Sequence, residues 1–425
     1  MFVNILLSLP ILLLFVWLAV RCLASWGAPV SLPGVLSGGE AQEHDPPTRR
    51  ELARVFCWAL GLRLLLLLAL YVCVMLSDAG PDAFGSKLRL WDAKHYGNLV
   101  ENGYSDWQED GQHIFLVFYP LYVWVVRLVR FVIPNTAAAG LTVSFLCFAG
   151  GCCYVYRLAA ERWGKSVAET ALLLLGLFPF SFFYGLVMTE SLSLLTTAAA
   201  CYYATKKKWL LYGIWGALAA LTRMTGILVI AVAVIELLNE YQPLQKPVKD
   251  SLKKALPQFL RKLPLLLTPL LGALGYLGLN YYVDGDPFAF SKHQAHWHQG
   301  SMWISKVLVY IWDYLRGNIE KSLGWATWMP NLVLFILFFC VLVLATRRRE
   351  NPPSLLAYAF CYLVANYSLS WLLSAGRYLS CGFVFFILAA ELLQRRPQLR
   401  QFVLGGEAVF LGIYLYGYVT GAHIM

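Results

Sequence analysis

Apolar residues run in long blocks along this chain, separated by short polar stretches. Blocks such as Phe2 to Val20, Phe56 to Leu76 and Pro330 to Ala345 approach or reach the roughly 20 residues that a helix needs to cross a bilayer. Read end to end, the pattern predicts about twelve spans, at 2–20, 56–76, 137–157, 168–186, 190–205, 209–221, 224–238, 263–282, 328–345, 354–373, 379–393 and 402–420. Several are short for a full crossing. Half-length helices are tolerated only where protein or a water-filled cavity covers their ends, so the short blocks predict a cavity inside the bundle. Two more apolar stretches carry charge at intervals. Residues 114–133 hold Arg127 and Arg130, and residues 303–316 hold Lys306, Asp313 and Arg316. Both predict amphipathic helices lying along the interface.

The expected fold is an all-α polytopic membrane protein with one integral membrane domain over residues 1–425. Residues 1–55 form an N-terminal span and inner linker, in which Ala28–Pro47 is rich in Gly and Pro. Residues 77–133 form a first outer loop with amphipathic helices, and residues 283–325 a second. The first apolar run lacks a charged leading region and a small-residue cleavage motif, so it reads as an anchor and not as a cleaved signal. No internal repeat marks an inverted-repeat transporter.

Composition supports this reading. The chain is 59% hydrophobic and 14% charged, with a mean hydropathy of +0.60. Soluble domains carry roughly 25% charged residues, and a water-soluble fold could not bury this much apolar surface. The net charge of +10 comes from clusters between spans: Lys206, Lys207 and Lys208; six Lys or Arg from Lys246 to Lys262; Arg347, Arg348 and Arg349; and Arg395, Arg396 and Arg400. Their placement beside spans follows the positive-inside pattern and argues against nucleic-acid binding. The ten cysteines are scattered, nearly all inside apolar runs, and read as small apolar residues.

With the basic clusters on the inner side, the chemistry falls to a few outer polar groups. In Trp91-Asp92-Ala93-Lys94-His95-Tyr96, helical spacing puts Asp92, His95, Tyr96 and Leu99 on one face. A carboxylate there stands beside an imidazole and an aromatic ring, although it could also serve only to cap a surface helix. Glu190, in Thr189-Glu190-Ser191, follows Phe178-Pro179 at the start of an apolar run, and a carboxylate at membrane depth is a functional candidate. Arg223 and Arg377 stand at outer turns against the positive-inside trend. Such cations call for a carboxylate or phosphate partner, the alternative being a snorkelling side chain. Asp284-Gly285-Asp286-Pro287 reads first as a turn and second as a metal motif with His293, His296 and His298.

Together these pieces resemble one family. Trp91-Asp92-Ala93-x-His95-Tyr96 with Gly103-Tyr104, then Phe118-Tyr119-Pro120-Leu121-Tyr122, is similar to the first outer loop of the PIG-V mannosyltransferases. These enzymes add the second mannose of the GPI anchor, and they have bacterial relatives. The likeness continues through Phe178-Pro179 with Thr189-Glu190-Ser191-Leu192, Leu221-Thr222-Arg223-x-x-Gly226, Gly285-Asp286-Pro287-x-Ala289-Phe290 with His296-Trp297, and Arg377-Tyr378. The family usually has Phe-Phe-Pro where this chain has Phe118-Tyr119-Pro120. The first span and the inner linker lie outside the resemblance.

The resemblance implies a GT-C glycosyltransferase, a bundle of about twelve transmembrane helices with interfacial helices in its outer loops. It implies an inverting mannosyltransferase that takes its sugar from a polyprenyl-phosphate carrier on the extracytoplasmic face and gives it to a glycan or glycolipid acceptor. No Gly-rich phosphate loop suggests a nucleotide-sugar donor. The expected catalytic residues are Asp92 as general base, His95 and Glu190. Arg223, Arg377 and Lys94 are expected at the donor phosphate, and Tyr96, Asp286, His296, Trp297 and Tyr378 at the acceptor. No cofactor and no metal is expected. A lipid-linked-sugar flippase and a glycan ligase are the alternatives. The C-terminal Gly421-Ala422-His423-Ile424-Met425 carries no receptor-read retention signal. A bacterial plasma membrane is the expected location, or the endoplasmic reticulum in a eukaryote.

Overall fold

The computed structural model describes residues 2–30, 44–77 and 80–424. Most of the linker Ala28–Pro47 lies outside the described residues. Within them the chain is helical, with two isolated bridges, Glu109 to Gln112 and Ser301 to Leu369. Seven helices among the described residues are long and apolar enough to cross a bilayer: Phe2–Ser25, Arg49–Leu76, Thr136–Trp163, Met224–Tyr241, Val248–Asp284, Gly324–Ala345 and Pro397–Thr420. Shorter apolar helices accompany them, at Pro120–Val129, Trp209–Thr222, Pro353–Asn366 and Phe383–Leu393. The protein is thus an all-α, multi-pass membrane protein. The helix Arg49–Leu76 starts on a capping box, in which Thr48 and Glu51 satisfy each other's backbone N–H.

The shorter blocks break where their sequence disfavours a helix. The stretch 168–186, expected as one span, is a helix Lys165–Leu177 followed by a 3-10 turn Ser181–Gly185. Phe178 is extended, at φ −49° and ψ 134°, because the following Pro179 disfavours helical backbone before it and supplies no N–H. Arg63, buried in the span Arg49–Leu76, closes this break. Its guanidinium donates to Ser181 O at 2.5 Å and Gly176 O at 3.5 Å and lies 4.0 Å from the Phe148 ring. The stretch 354–373 ends as helix at Asn366, and 379–393 divides into Ala375–Ser380 and Phe383–Leu393.

The stretch 114–133, expected along the interface, turns inward. Its helix Pro120–Val129 buries Leu121, Tyr122, Val123 and Val126. The Tyr122 hydroxyl donates to Gly140 O at 3.0 Å. Arg127 and Arg130 donate to Val100 O at 2.9 and 3.4 Å, so they cap the C-terminal end of the helix Asp92–Asn102, where cations are favoured. The second such stretch is the helix Ile304–Gly317, buried along Ile304, Val307, Leu308, Ile311 and Leu315, a spacing of one helical face.

The ends of the bundle differ in charge. At one end Lys206 pairs with Glu161 at 2.5 Å, Lys207 and Lys262 with Glu240, Arg348 with Glu391 and Arg395 with Glu350. Arg21 ties the first helix to the same end through Thr346 O and Asn351 O, both at 2.8 Å. The helix Glu190–Thr205 runs from the other end to this basic one, so Glu190 lies about 24 Å from Lys206 along its axis.

Candidate active site

Four charged side chains from distant parts of the chain meet at the end of the bundle remote from the basic clusters. Asp92 opens the helix Asp92–Asn102, whose register is set by Trp91 at φ 52° and ended by Gly103 at φ 89°. Glu190 opens the helix Glu190–Thr205. Arg223 ends the helix Trp209–Thr222 in extended backbone, at φ −157° and ψ 152°. Arg377 lies in the short helix Ala375–Ser380.

Their charges alternate. Arg377 Nη2 donates to Asp92 Oδ2 at 2.6 Å, and Arg377 Nε lies 3.3 Å from Glu190 Oε1. Arg223 Nη2 donates to the same Glu190 Oε1 at 3.0 Å. The chain therefore reads Asp92, Arg377, Glu190, Arg223. Glu190 and Arg377 are buried, at 1% and 3% exposed, whereas the Asp92 and Arg223 side chains keep 31% and 15% of their surface open. Two carboxylates balance two guanidiniums, as burial demands.

The network is not saturated. Glu190 Oε2 and Arg377 Nε are buried without a hydrogen bond. Arg377 Nη1 meets only the Met188 sulfur, at 3.9 Å, and Arg223 Nη1 meets the Cys381 sulfur at 3.1 Å. Thioether and thiol sulfurs are weak acceptors. Unsatisfied groups of this kind are rare in buried positions and call for an explanation. Tyr378 presents its ring to both cations, 5.2 Å from each guanidinium carbon.

His95 stands one helical turn from Asp92. Its ring lies 5.1 Å from Phe115, 5.4 Å from Phe118 and 5.3 Å from Trp297. Burial in this aromatic box pulls its pKa below the usual 6.5, against the opposing charge of Asp92. Its Nδ1 has no hydrogen-bond partner. Tyr96 turns away from the surface into the core, edge-on to Phe118 and Tyr122 at 5.1 and 5.6 Å. Trp297 joins the box from the other loop, 5.8 Å from Phe118.

The remaining sequence candidates lie apart from this network. Lys94 is exposed, two residues on from Asp92 and so on another face of the helix. Asp286 is a turn residue: its Oδ1 accepts from Phe288 N at 2.9 Å, and its Oδ2 meets Lys292 Nζ at 2.5 Å. Asp284 pairs with His293 at 3.2 Å. His296 is exposed and touches the box only through Trp297, at 5.4 Å. Among the described residues no three His, Cys, Asp or Glu side chains are grouped to hold a metal ion.

Several contributors escaped the sequence reading. Arg63 fixes the helix break that leads to Glu190, and a lone Arg in the run Leu62-Arg63-Leu64 was the available signal. Cys381 and Met188, which line the arginines, gave none.

The network can be set beside known proteins. Residues 119–260 match the family of dolichyl-phosphate-mannose-protein mannosyltransferases. The matched third of the chain carries Glu190 and Arg223. Among solved structures the chain is similar to the archaeal oligosaccharyltransferase AglB from Archaeoglobus fulgidus, in complex with an inhibitory peptide and a dolichol-phosphate. The identity is 12% and the TM-score 0.44, over 86% of this chain and 56% of that one. The chain therefore spans little more than half the length of that protein. No curated protein matches the chain.

Proposed function

We propose that this protein transfers mannose from a polyprenyl-phosphate carrier to a glycan or glycolipid acceptor, with inversion at the anomeric carbon. The observation that carries the reading is the alternating network Asp92, Arg377, Glu190, Arg223 at the end remote from the basic clusters. By the positive-inside rule that end faces away from the cytoplasm, where a lipid-phosphate donor serves in place of a nucleotide sugar.

Asp92 is the general base. Arg377 holds one carboxylate oxygen at 2.6 Å. The other oxygen, on the more open side, takes the proton of the acceptor hydroxyl as that oxygen attacks the anomeric carbon. The bond from that carbon to the carrier phosphate breaks in the same displacement, and the phosphate leaves with its electrons. A positioned base contributes roughly a hundred- to ten-thousand-fold.

Arg223 and the unused Nη1 of Arg377 face the leaving phosphate. Fixed cations stabilise charge that grows in the transition state without any reorganisation. Glu190 spaces the two guanidiniums through Oε1 and offers Oε2 to a sugar hydroxyl. His95, kept neutral by its box, orients the acceptor. Trp297 and His296 flank the path by which the acceptor arrives. The arginines supply the positive charge, so the displacement needs no metal or other cofactor. The family resemblance suggests a bacterial plasma membrane or, in a eukaryote, the endoplasmic reticulum.

The test is a reconstituted assay in proteoliposomes with polyprenyl-phosphate mannose labelled in the sugar. Transfer gives labelled product of inverted configuration and free carrier phosphate. Label that crosses the bilayer still attached to its carrier would make the protein a flippase. Indifference to the monosaccharide donor, with turnover of a preassembled lipid-linked glycan, would make it a ligase.

A further inference from the structure

A second feature lies at the basic end, away from the network above. A cavity of about 620 Å³ opens between the helices Met329–Ala345, Phe383–Leu393 and Pro397–Thr420. Its shaft is apolar, with Leu334, Phe338 and Phe386 deep and Leu337 and Leu344 nearer the side. It opens sideways, since Leu337 and Leu344 are 53% and 49% exposed. Its mouth carries Arg347, Arg348, Arg395 and Arg396.

We infer that this groove binds an anionic glycerophospholipid, with the phosphate at the arginine mouth and an acyl chain along the shaft. From Leu334 to Arg347 the helix rises about 20 Å, the scale of an extended long-chain acyl tail. Lipid would fill any sideways apolar cleft in a span. The mouth is what selects. Arg348 lies 3.5 Å from Glu391, and Arg395 lies 3.9 Å from Glu350. The second pair is loose and the Arg395 side chain stays 67% exposed, so it offers little resistance to a phosphate.

Arg396 also stands at the N-cap of the helix Pro397–Thr420, where its side chain caps nothing. The first N–H groups of that helix add to the positive field at the mouth. A zwitterionic headgroup brings its own cation and gains less there. Glu407, the carboxylate in the lining, lies about 16 Å along the helix from Arg396, clear of the phosphate. A polyprenyl-phosphate donor bound by Arg223 and Arg377 has its phosphate at the opposite end of the bundle, so the groove takes a different lipid. That exclusion of the donor rests on the proposed function; the groove and its arginine mouth do not.

The test is native mass spectrometry of the purified, delipidated full chain, titrated with phosphatidylglycerol or phosphatidylcholine of matched chains. One equivalent of phosphatidylglycerol should bind in preference to phosphatidylcholine by roughly 10- to 30-fold, the scale expected of two surface arginines. The double variant Arg395→Gln with Arg396→Gln should lose the preference, and Ala389→Trp, which fills the shaft, should lose the equivalent. The double variant changes only exposed side chains, so it keeps the test decisive should Ala389→Trp fail to fold. Equal retention of the two lipids, or an unchanged preference in the double variant, overturns the proposal. So does displacement of phosphatidylglycerol by one equivalent of polyprenyl phosphate, which would assign the groove to the donor's tail.

Discussion

Asp92 and Arg377 are 285 residues apart in sequence and 2.6 Å apart in the fold. Arg377 is the buried partner and Asp92 the open one. An arginine so placed holds a carboxylate by one oxygen and leaves the other to the outside. Glu190, at 3.3 Å from the same guanidinium, keeps Arg377 compensated even when Asp92 is altered. Base and scaffold can therefore be separated by mutation.

Glu190 should be the variant that costs most in stability. Its Oε1 serves both arginines, and Glu190→Gln leaves a neutral amide between two desolvated cations. Breaking a buried ion pair from one side costs roughly 3–5 kcal/mol. A clear fall in the thermal midpoint in detergent is expected, larger than for Asp92→Asn, whose carboxylate is partly exposed. Equal midpoints for the two variants would contradict this ranking.

Arg223 should act on the donor. Arg223→Gln is expected to lower kcat and to raise the KM for the lipid donor, with little effect on the acceptor KM. Arg223→Lys should recover only part of the loss, because an ammonium cannot make the planar, two-pronged contact. Steady-state kinetics with each substrate varied in turn decides it, and a change confined to the acceptor KM would remove Arg223 from the phosphate.

His95 should leave a signature in stability against pH. Burial lowers its folded pKa below 6.5, so the unfolded chain binds the proton more readily. Stability from this group is fully present above 6.5 and is lost as pH falls from 6.5 through the lower folded value. Thermal midpoints measured downward from pH 7.5 should fall in that window for the wild type and fall less for His95→Gln. Parallel curves would show that His95 is not the group responsible.

Gly226 should not tolerate a side chain. A Cβ there would lie 2.1 Å from Ala219 O, a backbone atom of the helix that ends at Arg223. Gly226→Ala must push that turn away and carry Arg223 with it, so a lower thermal midpoint and reduced transfer are expected together. Wild-type values in both measurements would show that the turn has slack.

The sequence made the bundle legible, because apolar blocks of spanning length have few other uses. It also named all four members of the network, since charge beside an apolar block is conspicuous: Asp92, Glu190, Arg223 and Arg377 each stand out locally. What it could not show was their pairing. Arg377 called for a carboxylate or a phosphate partner, and nothing local to Gly376-Arg377-Tyr378 announces a carboxylate 285 residues upstream. The break at Phe178-Pro179 was read through as one span because both of its flanks are apolar, and hydropathy is blind to a proline that stops a helix inside such a run. Asp286 is ambiguous in sequence, since a turn aspartate and a ligand aspartate look alike; its bond to Phe288 N marks the turn.

The central claim is that Asp92 takes the acceptor proton, and one measurement addresses it most directly. Single-turnover transfer from labelled polyprenyl-phosphate mannose should be compared in proteoliposomes for wild type, Asp92→Asn and Asp286→Asn. Asp92→Asn should lose roughly a hundred- to ten-thousand-fold in rate while it still binds donor and keeps a folded melting transition, and Asp286→Asn should stay near wild type. Near-wild-type turnover by a folded Asp92→Asn protein would contradict the account.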